Sequence, residues 1–205
     1  MPELNTRVAI AVLAAGQSTR MGSLNKLLCR FDGVPLVRLS AQKAIASSGN
    51  PVIVVTGHMA LEIRDALSGL PVEIVHNARY ASGLSSSITA ALGAVPDRCS
   101  GILIALADMP FVSADDLSAM IEAFARCDAS SVVRATALGE PGNPVMVPRA
   151  LFSEIAALEG DRGARHVIAA SGFPVIGVEI GRAAAYDVDT IEALEMAGGK
   201  PQTTL

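Results

Sequence analysis

The sequence predicts an α/β protein, a single three-layer α/β/α domain built on a mainly parallel, mixed sheet. Three observations carry that expectation. Short apolar runs rich in β-branched residues recur at 8–14 (VAIAVLA), 52–56 (VIVVT), 72–76 (VEIVH), 102–107 (ILIALA) and 175–180 (VIGVEI). They are continuous rather than alternating, as strands covered on both faces require. Helical patterns lie between most of them, and alternation of strand and helix is the signature of a sheet with helices on both sides. Finally, hydrophobic residues make up 51% of the chain while aromatics are 3% and Trp is absent. The core must therefore be close-packed layers of Ala, Val, Leu and Ile.

Taken in order, the first strand at 8–14 is followed by an irregular loop and then by helical spacing at 36–48 (LVRLSAQKAIASS). The strand at 52–56 leads to a helix at 59–68, the strand at 72–76 to a helix at 84–95, and the strand at 102–107 to a helix at 114–126. Ser113 stands immediately before "ADDL", where a helix N-cap belongs. The second half is less regular: "SSVVRATA" at 130–137, a turn-rich "LGEPGNP", then "VMVPRALFSEIAAL", where Pro148 can open a helix at its first turn. "GDRGARHVIAAS" predicts a short helix and "DTIEALEMA" a last one, with Asp189 or Thr190 available as its cap.

At 205 residues the chain suits one sizeable core, so a single domain over 1–205 is expected, with 199–205 as a frayed tail. A net charge of −4 without a basic stripe argues against a nucleic-acid partner. The apolar run near the start is about nine residues, preceded by acid, and is too short for a signal peptide or a membrane span. A cytoplasmic protein with no membrane partner is expected. Cys29, Cys99 and Cys127 are odd in number and far apart, with no C-x-x-C pair, and read as small hydrophobes. His58, His76 and His166 lack ligand spacing. No repeat of 20–50 residues recurs.

The loop behind the first strand is the first feature that points to chemistry. In an open α/β sheet, ligands bind outside the carboxyl ends of the strands, and "AGQSTRMGSLNK" begins there. Gly16 and Gly22 allow a turn whose N–H groups face inward, and such a nest binds anions. Arg20 and Lys26 add two cations. The spacing is neither G-x-G-x-x-G nor G-x-x-x-x-G-K-[ST], which sets aside dinucleotide oxidoreductases and P-loop ATPases.

Asp108 follows the run "ILIALA" and so stands on the same rim as the glycine loop. An Asp before a Met-Pro turn can cap the next helix, but Ser113 fits that role better. Asp187 and Asp189 flank Val188, and on an extended segment both would share a face. Residues 82–87, "SGLSSS", supply hydroxyls and backbone groups at a helix start, where they can cap the helix or present a small-residue packing face. Arg162 and Arg165 are three apart in "EGDRGAR" and can share a helix face. They suit a phosphate or surface pairing with Glu159 or Asp161.

"LAAGQSTRMGSLNKLL" resembles the signature of the nucleotidyltransferases related to molybdopterin-guanine-dinucleotide synthase, L-[AG]-[AG]-G-x-S-x-R-M-G-x3-K. The resemblance continues through "NARYASGLSSSI", "ALADMPFV", "GNPVMVPRALFSEIAALEGDRGAR" and "YDVDT", and so covers nearly the whole chain. It implies a Rossmann-like nucleotidyltransferase fold of the glycosyltransferase-A-like kind. Residues 1–112 would be mainly the nucleotide-binding half and 113–198 mainly the acceptor-binding half. Ala15 where guanylyl enzymes usually carry a second Gly, "GLSSSI" and "GDRGAR" make it most similar to the molybdenum cofactor cytidylyltransferase branch. Asn143 departs from the family, in which many members have His there.

The resemblance implies transfer of CMP from CTP, or another NTP, to the phosphate of a molybdopterin-type cofactor, with Mg2+ as cofactor. An apo-molybdoenzyme or its chaperone would receive the product. Arg20, Lys26 and Asp108 would be catalytic, with Asp108 and Asp189 holding the metal and Asp187 in reserve. Leu13, Ala14, Ala15, Gly16, Ser18, Arg20, Lys26, Gly83 and Ser85 would bind the nucleotide, and Asn143, Arg162 and Arg165 the acceptor. The alternatives are a guanylyltransferase or a sugar- or polyol-phosphate nucleotidyltransferase of the same fold, or a non-catalytic accessory that delivers the cofactor.

Overall fold

In the computed structural model, which describes residues 6–22, 24–157 and 165–201, the first apolar run is β1 (Val8–Ala14), and all seven of its residues are buried. Val8, Ile10, Val12 and Ala14 join one core cluster, Ala9, Ala11 and Leu13 another. A strand between two helical layers has no polar face to show, which is why the run does not alternate.

The chain then makes a small hairpin, β2 (Arg30–Phe31) and β3 (Val34–Pro35), turned by Asp32 at φ 48° and Gly33 at φ 82°. Positive φ at both central residues is the type I′ geometry that Asp-Gly favours. Next come α1 (Leu36–Ala46), β4 (Val52–Thr56), α2 (Ala60–Ala66), β5 (Glu73–His76), α3 (Leu84–Gly93), β6 (Gly101–Leu106) and α4 (Ala114–Arg126). Ser113 and Asp116 form a capping box at the head of α4, each side chain accepting the other's backbone N–H, at 3.1 and 2.9 Å.

The second half comprises β7 (Val132–Ala137), β8 (Glu140–Pro148), α5 (Phe152–Ala156), α6 (Arg165–Ala170), β9 (Val175–Glu179), α7 (Ile191–Met196) and β10 (Gly199–Lys200). Thr190, not Asp189, caps α7, its hydroxyl accepting from Ala193 N at 3.2 Å.

Seven strands form the main sheet in the order β5-β4-β1-β6-β8-β7-β9. All neighbours are parallel except β8, which runs antiparallel to both β6 and β7. The expected α/β/α layering with a mainly parallel, mixed sheet is observed. After β1 the chain moves outward through β4 and β5, then returns to β6 on the other side of β1. The carboxyl ends of β1 and β6 therefore border a topological switch point, where α/β sheets bind ligands.

Three expectations are corrected. The "LGEPGNP" stretch is mostly strand: only Leu138 (φ 52°) and Gly139 (φ 81°) turn, and Glu140 begins β8. Pro148 closes that strand and precedes a 3-10 turn at Arg149–Leu151, so α5 starts later than the proline suggested. Gly199 and Lys200, assigned to a frayed tail, form β10 and pair antiparallel with Phe31 and Arg30. A Cβ on Gly199 would sit 2.4 Å from Leu194 and 2.7 Å from Phe31, so only glycine lets the backbone close on them. Among the described residues no helix is long and apolar enough to cross a membrane.

Candidate active site

The loop after β1 is shaped by backbone conformations that few residues accept. Ser18 lies in the left-handed region at φ 53°, a 3-10 turn covers Thr19–Met21, and Gly22 leaves it at φ 64°, ψ −123°, a conformation suited to glycine. A Cβ built on Gly16 would meet nothing within 4 Å, so its backbone faces open space. The Ser18 hydroxyl accepts from Lys26 N at 3.3 Å, closing the loop on itself. Asn25 accepts from Leu27 N at 3.0 Å and starts the 3-10 turn that aims Lys26.

Lys26 reaches two carboxylates from distant parts of the chain. Its Nζ donates to Asp108 Oδ2 at 2.5 Å and to Asp189 Oδ1 at 2.5 Å. Asp108 comes from the loop after β6; Asp189 comes from the segment before α7, tied in by the Val188 N–H, which donates to the Asp108 carbonyl at 2.9 Å. Arg20 also pairs with Asp189, through a mostly exposed side chain. Asp108, Asp187 and Asp189 each offer an oxygen within 4.8 Å of the others.

The charges shape one another. Burial works against the Lys26 ammonium, but the Asp108 and Asp189 carboxylates outweigh it and raise its pKa above the ordinary value. Burial likewise works against ionisation of Asp189, yet hydrogen bonding and charge from Lys26, with Arg20 beside it, hold its pKa below the usual carboxylate value. For Asp187 the balance is the other way: burial, then the charges of Asp189 and Asp108, push its pKa up against weaker lowering by its own backbone hydrogen bond and the Lys26 charge.

One atom in this cluster is left over. Asp108 Oδ1 is buried and has no hydrogen-bond partner among the described residues, and a buried carboxylate oxygen without a partner is costly. An all-oxygen donor set of three carboxylates is the hard-ligand environment that magnesium or manganese prefers. The residues present therefore fit a divalent cation.

Beside this cluster lies a cavity of about 630 Å³. Leu13, Ala15, Gly16, Ser18, Arg20, Lys26, Asp108 and Asp189 line it, together with Tyr80, Ala81, Gly83, Leu84 and Ser87 from the loop before α3 and its first turn. Not every candidate residue meets there. Ala14 is buried in the core, and Ser85, also buried, does not line the cavity. Asn143 lies in β8 and is not among the lining residues; Arg165 opens α6, and Arg162 lies outside the described residues.

Sequence reasoning missed Tyr80, Gly57 and Ser87. A Cβ on Gly57 would fall 2.5 Å from Tyr80 and 2.9 Å from Ala15, so glycine there lets both walls of the cavity meet the end of β4. The signal was a Gly directly after an apolar strand. Ser87 closes the 82–87 stretch from which only Gly83 and Ser85 were chosen, and helical phase, not composition, points it inward.

Comparison with known proteins agrees with this geometry. A family model described as the MobA-like NTP transferase domain matches residues 10–175. The bifunctional protein GlmU of Anaeromyxobacter sp. (strain K) is 32% identical over 178 residues, covering 82% of this chain and 36% of that protein. The chain thus spans little more than a third of the length of such curated relatives. Among solved structures, Rv0371c from Mycobacterium tuberculosis H37Rv superposes with a TM-score of 0.82 at 25% identity, over 94% of this chain and 98% of that one. The same protein in complex with manganese gives 0.77 at 24% identity, with the same coverage of 94% and 98%.

Proposed function

This chain belongs to the MobA-like NTP transferase domain family, and from that premise we propose that it transfers CMP from CTP to the phosphate of a molybdopterin-type cofactor. An oxygen of the acceptor phosphate would bond to the α-phosphorus of CTP as the α–β bridging P–O bond breaks, and pyrophosphate would leave. The observation that carries the reading is Lys26 Nζ held at 2.5 Å from both Asp108 and Asp189, beside a cavity bordered by the glycine loop. Such a site brings fixed positive charge to where two anions must approach, and preorganised charge is the main source of catalysis in such transfers.

Asp108 and Asp189, with Asp187 next to them, would hold Mg2+, which when bound neutralises charge on the triphosphate and polarises the α-phosphoryl group. The manganese complex of the similar mycobacterial protein supports a divalent cation. Lys26 and Arg20 would exchange carboxylate partners for phosphate oxygens, so the same cations that pair with the carboxylates would orient the nucleotide. The Gly16 backbone, unobstructed, would meet the phosphates, and the wall of Tyr80, Gly83 and Ser87 would face the base. No covalent intermediate is needed, since positioning and electrostatics suffice.

Cytidine rather than guanosine specificity rests on the resemblance at Ala15, and the acceptor role of Asn143, Arg162 and Arg165 on the same resemblance. Assaying pyrophosphate release with molybdopterin and each of the four nucleotides tests the reading. Release with CTP, and little with GTP, ATP or UTP, is expected. A clear GTP preference would overturn the cytidylyl assignment, and tight cofactor binding without release from any nucleotide would favour a carrier instead.

A further inference from the structure

We propose that Ser87 reads the nucleotide base as a hydrogen-bond donor, and that Asn77 sets that polarity. The proposal rests on the nucleotidyl-transfer reading of the cavity and adds to it a residue that determines specificity. Asn77 is 5% exposed and lies in the loop between β5 and α3. Its Oδ1 accepts from Arg79 N at 2.9 Å. A backbone N–H can only donate, so the amide is fixed with its oxygen toward Arg79 and its NH2 toward α3. That NH2 donates to Ser86 Oγ at 2.8 Å and Ser87 Oγ at 3.1 Å.

The two serines then differ in what remains to them. Ser86 passes its proton to the carbonyls of Gly83, at 2.8 Å, and Arg79, at 3.0 Å. Among the described residues no acceptor takes the Ser87 proton, although its oxygen is engaged and the residue lines the cavity. A hydroxyl whose lone pair is occupied by a donor presents its proton to whatever else it faces. Ser87 therefore selects a ligand atom that accepts, a carbonyl oxygen or an unprotonated ring nitrogen on a base edge. Cytosine carries both on one edge. Asn77 is a positioning residue: replacing it by Asp would offer an acceptor to Ser87, turn the Ser87 proton away from the cavity, and leave a lone pair where the donor stood.

Titration calorimetry with each of the four nucleotides and Mg2+ tests this on the wild-type chain and on Ser87→Ala and Asn77→Asp, with melting curves to confirm folding. For the nucleotide that wild type binds most tightly, Ser87→Ala is expected to weaken binding about tenfold, the loss of one net hydrogen bond. Asn77→Asp is expected to weaken CTP more than UTP, whose N3–H is a donor. Equal affinity of Ser87→Ala and wild type overturns the proposal, even if Asn77→Asp fails to fold. Wild-type protein that binds none of the four nucleotides would instead overturn the reading on which the proposal rests.

Discussion

At Lys26 two effects oppose each other: burial disfavours its charge, while carboxylates at 2.5 Å from two segments favour it, and the second wins. A lysine held charged in a part-buried site serves as a fixed countercharge rather than a base. Replacing Lys26 or Asp108 by Ala is therefore expected to slow transfer about 10²- to 10³-fold, the usual cost of losing one such stabiliser. Steady-state pyrophosphate release measures it, and wild-type rates in either variant would remove that residue from the site. At this scale the sequence showed residue types well and directions poorly. Arg20, Lys26 and Asp108 were readable because Gly-rich spacing and strand ends constrain where they stand. Ser85 and Ser87 are chemically identical in the sequence, and only the phase of α3 brings Ser87 to the cavity.

Among the elements, the hairpin between β7 and β8 shows how a carboxylate can define a turn. Leu138 at φ 52° and Gly139 at φ 81° make the turn, and Leu138 pays steric strain there that Asn or Gly would not. Glu179 from β9 holds it, accepting from Leu138 N at 2.8 Å, Gly139 N at 3.1 Å and Thr136 Oγ1 at 2.8 Å. The backbone hydrogen bond from Gly139, then those from Thr136 and Leu138, keep its pKa below the ordinary glutamate value of 4.5. Because the folded-state pKa is depressed, Glu179 stabilises the fold fully above about pH 4.5 and progressively less as pH falls through the folded value. Glu179→Gln should therefore narrow the gap between melting temperatures at neutral and acid pH. An unchanged gap would show that the turn does not depend on the charge. The β2–β3 hairpin was missed in what read as an irregular loop, although Asp-Gly in "FDGVP" is a strong local signal. Glu179 was not legible, because its partners are about forty residues away.

Across the whole molecule, the site exists because the strand order reverses at β1, with β4 on one side and β6 on the other. The loop after β1 and the loop after β6 are adjacent only through the β1–β6 pairing, Val8↔Gly101 through Leu13↔Leu106. Asp189 arrives last, fastened by the Val188 bond to Asp108 and by α7 leading into β10 on β2. A chain ending at Ala197 lacks β10 and is expected to keep the main sheet by circular dichroism while losing about 10²-fold in transfer, since misplacement by an ångström can cost that much. Unimpaired transfer would show that β10 does not position Asp189. The sequence by itself determined the alternation of strand and helix, the glycine loop and the strand-end Asp108, because local periodicity and turn chemistry act over a few residues. Only the tertiary structure decided that Lys26 bridges Asp108 and Asp189, that Gly199 and Lys200 form a strand, and that Ser87 faces the cavity. Those facts depend on strand order and helix phase, which arise when segments more than eighty residues apart pack together.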